Sequence, residues 1–177
     1  MLPEFFCIQT TAIGVSLPLW HVVGCFMGCV AVPPPPAVRV PGAMTSAFSY
    51  IKQLEDMVSL SESFAPGSTL ELNETLARAR QLFHAAFFIR SCNCYHETEQ
   101  AGDVMALASG SVPEALRANV VDHLLSLVAS DGYHFSVGIV SFPFLFNVLH
   151  DAGHADVALR ILTQADYPSF GYTMSNR

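Results

Sequence analysis

From about Thr45 onward, apolar residues recur at a period near 3.6 and are broken repeatedly by turn signals, which restricts the chain to short α-helices packed as hairpins. Ala47, Ile51, Leu54 and Val58 step by four, three and four, one face of a helix expected to open near Thr45-Ser46 and to end at Ala65-Pro66-Gly67. Ser68-x-x-Glu71 has the form of a capping box. The stripe Leu72, Leu76, Ala79, Phe83 and Ala86 follows it, with Phe87 and Phe88 at its end. A shorter helix is expected over Gln100 to Ala108. Ser111-x-x-Glu114, with Pro113 in the tolerated first turn, reads as a second capping box ahead of Leu116, Val120, Leu124 and Leu127. Asp131-Gly132 breaks the chain, Phe142, Leu145, Phe146 and Leu149 mark another helix closed by Gly153, and Ala155, Ala158, Ile161 and Leu162 a last one. The result is an all-α body of about six helices with no evident strand pairing, although Val137 to Val140 has strand-like composition.

Upstream, Pro33-Pro34-Pro35-Pro36 is a stiff polyproline turn that separates this body from an apolar leader over residues 1–32. No Lys, Arg, Asp or Glu falls between Phe5 and Val32, long enough for a membrane span, but Gln9, Thr10, Thr11, Ser16, Pro18 and His21 interrupt it and no basic anchor appears before Arg39. A weak signal or anchor, a buried segment of the fold, and a segment foreign to the fold all stay open, as does the compartment.

Composition narrows the function classes. The hydrophobic fraction of 51%, the charged fraction of 13% and the mean hydropathy of +0.40 point to a membrane segment or to an apolar surface that expects a partner. A net charge of -7 with eight Lys plus Arg gives no footprint for phosphate backbones, which excludes nucleic acid. The five cysteines, Cys7, Cys25, Cys29, Cys92 and Cys94, are odd in number, so a disulfide framework is not expected. Cys92-x-Cys94-x-His96 lacks the gaps and fourth ligand of a zinc site, and Gly153 falls inside His150-x-x-x-His154, so neither is read as metal-binding. No cofactor is implied.

The segment Tyr167-Pro168-Ser169-Phe170-Gly171-Tyr172 is an aromatic-rich loop whose ring faces suit stacking on sugar rings or plugging a core end. Together with His134-Phe135-Ser136-Val137-Gly138-Ile139, Phe144-Leu145-Phe146, Asp151-Ala152-Gly153, Asp156-Val157-Ala158-Leu159 and Gln164, it resembles the α-L-rhamnosidases in order and spacing. So do Pro33 to Pro41 running into Thr45-Ser46-Ala47-Phe48-Ser49-Tyr50, Phe87-Phe88 with Cys94-Tyr95, and Met105-Ala106-Leu107 with Ser111-Val112-Pro113. The resemblance covers roughly residues 33 to 176.

The resemblance implies a partial (α/α)6 barrel over residues 33–177, about half of a toroid of six helical hairpins, and a rhamnose-containing glycoside as the ligand. It implies hydrolysis of terminal α-L-rhamnose with inversion, which needs a general acid and a general base about 6.5–9.5 Å apart. The family's acid lies in an Arg-Asp-Glu-Arg segment and its base in an Ala-Thr-Thr-x-Trp-Glu motif, and neither occurs between Met1 and Arg177. No catalytic residue is therefore assigned, and the chain by itself is expected to be inactive. Glu97, Glu99, Asp103 and Asp131 form no recognisable acid/base pair. The candidate substrate-binding residues are His134, Tyr167, Phe170 and Tyr172; the competing reading of His134 is a side chain bonded to a backbone carbonyl. Gln100 is matched to a structural Gln of the family loop. Half a toroid also leaves apolar faces uncovered, so Phe142, Phe144, Phe146, Phe170 and Tyr172 should be incompletely buried and the chain should self-associate. Residues 1–32 are expected at most to plug the opening. The alternative function is a non-catalytic helical module that binds a partner or sugar.

Overall fold

The computed structural model describes residues 40–175. The leader, the polyproline turn and the domain boundary expected between residues 32 and 33 lie outside that range. The described residues form seven α-helices and no strand. These are α1 (Gly42–Phe64), α2 (Thr69–Phe87), α3 (Gln100–Ala108), α4 (Glu114–Ser130), α5 (Phe142–Asp151), α6 (Ala155–Leu162) and α7 (Phe170–Ser175). A 3-10 turn over Pro66–Ser68 joins the first two.

The helices pair in sequence, α1 with α2, α3 with α4 and α5 with α6, and the leading members α1, α3 and α5 pack on one another. This is three consecutive hairpins of an (α/α)6 barrel, the partial barrel that the family resemblance implied. The spacing rule explains which faces turn inward. Met44, Phe48, Ile51 and Leu54 of α1, Leu76 and Phe83 of α2, and Val120, Val121, Leu124 and Val128 of α4 are buried. Val128 takes the buried place expected for Leu127, and Ala86 is exposed at the end of α2. On α3, every residue from Gln100 to Leu107 is buried, because it is flanked by α1, α4 and α5. Gly102 is what lets the incoming chain cross α3: a Cβ there would lie 2.6 Å from His96 Cβ.

Neither capping box forms. Ser68 is the N-cap of α2, but its φ of -94° and ψ of -8° make it the last residue of the 3-10 turn, and its side chain makes no cap bond. The nearby hydroxyl pair is instead Ser61 Oγ with Thr69 Oγ1 at 3.0 Å. Ahead of α4 the N-cap is Pro113, while the Ser111 hydroxyl is buried against Ser109 Oγ at 2.8 Å. Helix α1 opens at Gly42, earlier than expected, because Pro41 ends the extended approach and its carbonyl accepts from Met44 N at 2.9 Å. The strand-like Val137 to Val140 pairs with nothing and lies in the loop before α5. Gly132 (φ 67°), Tyr133 (φ 65°) and Gly153 (φ 85°) take left-handed conformations at the breaks read from the sequence. No helix among the described residues is long and apolar enough to cross a membrane.

The disulfide expectation is corrected: Cys92 and Cys94 are joined, with Cα atoms 5.2 Å apart. An odd cysteine count bears on a framework of bridges, whereas this pair closes within a single tight turn, where proximity is supplied by the chain itself. The turn is framed by Ile89 N donating to the Cys94 carbonyl at 2.8 Å, with Asn93 at φ 51°.

Candidate functional site

Two chain segments meet at one end of the hairpin array: the loop over residues 131–138, between α4 and α5, and the segment 164–172, between α6 and α7. Buried Gln100, the first residue of α3, holds the first of them. Its Nε2 donates to Asp131 Oδ2 at 2.6 Å and to the His134 carbonyl at 3.0 Å, while its Oε1 accepts from Ser136 N at 3.1 Å. Every polar atom of that amide is thus used, which fixes its orientation as well as the loop. The structural role implied for Gln100 is the one observed.

The second segment is tied to the first. His134 Nδ1 donates to the Pro168 carbonyl at 2.9 Å, and Gln164 Nε2 donates to the Gly132 carbonyl at 3.0 Å. The carbonyl bond is the competing reading of His134, and it occupies one ring nitrogen, so only Nε2 of that imidazole can face a ligand.

All four candidate residues, His134, Tyr167, Phe170 and Tyr172, come together here. The Tyr167 and Tyr172 rings meet edge to face with centroids 5.3 Å apart. Phe170 packs 5.5 Å from Phe135 and 5.9 Å from Phe142, and Phe142 in turn contacts Phe146 at 5.7 Å. Tyr167 is 67% exposed, Phe170 40% and Tyr172 41%. Phe142, Phe144 and Phe146 are half-buried, as the uncovered-face argument required. Tilted and edge-to-face ring contacts with one open side give an apolar wall carrying phenol hydroxyls, the surface a sugar ring can lie against. Phe135 was quoted in the family resemblance but carries no periodic signal, because it sits in a loop. The segment 167–172, read as a loop, starts α7 at Phe170; Ser169 Oγ accepts from Tyr172 N at 3.0 Å, a capping bond hidden among turn residues.

Gly171 sits where the segment folds back on itself. A Cβ there would lie 2.5 Å from the Gln164 carbonyl oxygen and 3.1 Å from Ala165 Cα, both backbone atoms. Gly171→Ala should therefore shift α7 and cost about 1–2 kcal/mol, the usual range for overpacking. Thermal melting and Tyr chemical shifts of the variant test this. A variant with the wild-type melt and unmoved Tyr167 and Tyr172 resonances would show that the contact relaxes freely.

Glu99 and Asp131 flank the Gln100 clamp. Burial raises the Glu99 carboxyl above its ordinary range, the Asp131 charge adds to the rise, and His96 opposes it. Asp103, on the next part of α3, is fully buried and faces away into a structural network. It accepts from Tyr95 N at 2.8 Å through Oδ1 and pairs with His123 Nδ1 at 2.6 Å through Oδ2. Tyr95 continues that network, its hydroxyl 2.7 Å from His84 Nδ1. Burial, with the Asp103 charge adding, holds the Tyr95 phenol protonated far above its usual range.

Comparison with known proteins agrees with this architecture. The model of the bacterial α-L-rhamnosidase six-hairpin glycosidase domain matches residues 29–177. An α-L-rhamnosidase of Streptomyces avermitilis is 36% identical over 99 residues, 56% of this chain and 10% of that protein. The crystal structure of the Streptomyces avermitilis α-L-rhamnosidase complexed with L-rhamnose superposes with a TM-score of 0.71 at 27% identity, over 77% of this chain and 13% of that one. The Dictyoglumus thermophilum α-L-rhamnosidase gives a TM-score of 0.72 at 26% identity, over 80% of this chain and 16% of that one. The chain therefore spans a small part of the length of each relative. A family match across residues 29–177, borne on three hairpins of the expected fold, means that this chain belongs to the bacterial α-L-rhamnosidase six-hairpin glycosidase domain family.

Proposed function

We propose that this chain forms the sugar-facing part of a catalytic domain that hydrolyses terminal α-L-rhamnose from glycosides with inversion, and that residues 1–177 tested alone bind the sugar without turning it over. The observation that carries the reading is the aromatic end built from Phe135, Phe142, Tyr167, Phe170 and Tyr172, in a family with a member solved in complex with L-rhamnose. His134 Nε2 and the tyrosine hydroxyls supply directional contacts beside that wall. General acid–base catalysis is worth about 10²–10⁴-fold per group. With neither family carboxylate motif between Met1 and Arg177, the chain holds the ring but moves no proton at the glycosidic oxygen or the attacking water.

The test titrates L-rhamnose into the chain while following side-chain resonances, with D-glucose as control. Tyr167, Phe170, Tyr172 and His134 should move together on L-rhamnose, and Tyr172→Ala should weaken the fit by about 3- to 10-fold, the equivalent of one aromatic contact. In parallel, p-nitrophenyl α-L-rhamnoside should release no more p-nitrophenol than with a heat-killed control. Resonances unmoved at saturating sugar would remove the binding reading, and turnover by the 177-residue chain would remove the claim of inactivity.

The second reading, a helical interaction module, is favoured by one observation. Phe64 is 83% exposed, Leu70 72%, Leu60 58% and Met57 51%, an apolar group at and near the α1–α2 turn. Association through such a surface should appear in light scattering as a mass that grows with concentration, and a monodisperse monomer with a cooperative melt would end this reading.

A further inference from the structure

We propose that Cys92 and Cys94 are a reversible redox centre that exchanges with small dithiols, and not a structural bridge. The first argument is loop size. A disulfide stabilises chiefly by closing a long loop, and one joining residues two apart closes almost none. The second is redundancy. The same turn is already shut by the reciprocal backbone bonds between Ile89 and Cys94, at 2.8 and 3.3 Å, and by the left-handed Asn93. Losing the sulfur–sulfur bond leaves those closures in place.

The third argument is access and readiness for the reduced state. Cys92 is half-exposed whereas Cys94 is fully buried, so an incoming thiolate reaches only the Cys92 sulfur. The Cys92 sulfur also stands 3.6 Å from the Ile89 carbonyl, an acceptor that a disulfide sulfur cannot use but a thiol can. In the reduced form the Cys92 thiol thus has an acceptor within reach.

The chemistry balances with a dithiol as the two-electron reductant. One thiolate of the dithiol attacks Cys92 Sγ; the Cys92–Cys94 bond breaks, and Cys94 Sγ leaves with the electron pair and takes a proton. The second thiolate of the dithiol then attacks its own sulfur in the mixed disulfide and expels Cys92 as a thiolate, which is protonated. The dithiol ends as a cyclic disulfide and the protein as two thiols. The turn is followed by Tyr95, whose N–H is held by Asp103, and then by Gln100, which clamps the 131–136 loop.

The test places the full chain in dithiothreitol buffers of graded reduced-to-oxidised ratio, tags free thiols by alkylation, and reads the peptide carrying both cysteines by mass. Expected is the joint appearance of two tags in one step, reversed by oxidised dithiothreitol, while helix content and amide exchange over residues 89–96 stay constant. A Cys92→Ser, Cys94→Ser double variant should keep full helicity and a cooperative melt. Tags on both residues before any reductant is added, tags that appear only as the helices melt, or a double variant that fails to fold would each overturn the proposal.

Discussion

Asp103→Ala should lower the stability of the folded chain by about 3–4 kcal/mol, and differential scanning calorimetry should register it as a fall in Tm of about 10 °C. The carboxylate is fully buried and both its oxygens are engaged, Oδ1 by Tyr95 N at 2.8 Å and Oδ2 by His123 Nδ1 at 2.6 Å. Truncation leaves the Tyr95 N–H buried without an acceptor, which alone costs about 1–3 kcal/mol, and adds a small void beneath α4. Asp103→Asn separates shape from charge. It keeps an acceptor for Tyr95 N and meets His123 through a change of tautomer, so its cost should be nearer 1 kcal/mol. The pH dependence has a definite sign. Burial raises the Asp103 carboxyl above its ordinary 3.8, against the bonds from His123 and Tyr95. Its titration thus contributes stability that is complete below pH 3.8 and is lost as pH rises through the raised folded value. The stability difference between the wild type and Asp103→Asn should shift against the wild type over that rise. An Asp103→Ala chain with an unchanged melt would show that the network holds nothing.

Gln100→Leu should cost about 3 kcal/mol and, more tellingly, should free one loop. The replacement keeps the volume of a fully buried side chain at the start of α3, so packing alone predicts little change. What it removes is three hydrogen bonds, to Asp131 Oδ2, the His134 carbonyl and Ser136 N. Each is worth about 0.5–1.5 kcal/mol. Hydrogen exchange should quicken over residues 131–136 and leave α1 and α2 protected, and L-rhamnose shifts at His134 should weaken while Tyr167 and Tyr172 keep their mutual contact. Uniform loss of protection across all hairpins would mean that Gln100 is a core residue rather than a clamp on the site.

Most of the helical body was legible before any coordinates. The helix expected over Gln100 to Ala108 is α3, and the period near 3.6 marks the inward faces of α1, α2, α4 and α5, because an amphipathic stripe is a local property of the chain. Asp131-Gly132 and Gly153 are legible for the same reason: a left-handed residue is written in the residue type. The capping boxes show the limit of local reading. The spacing at Ser68 and Ser111 is right, but Ser68 is spent in a 3-10 turn and Ser111 is drawn into a buried pair with Ser109. The short α7 was missed because its segment is made of turn and aromatic residues, and its capping oxygen, Ser169 Oγ, is identified only once the chain has folded back.

By itself, then, the sequence determined an all-α hairpin body and a family, since both rest on periodicity, punctuation and the order of short motifs along the chain. It also named His134, Tyr167, Phe170 and Tyr172 as a set. Only the tertiary structure decided how they meet: His134 spends Nδ1 on the Pro168 carbonyl, and Phe135 and Phe142 complete the wall from a different hairpin connection. Tertiary structure likewise made Asp103 the centre of a buried network, and turned Gln100 into a three-point clamp on residues more than thirty positions away. The physical reason is common to all of these. A hydrogen bond or ring contact between distant residues depends on where helices pack, and packing is set by the sum of buried faces, which no single spacing in the chain records.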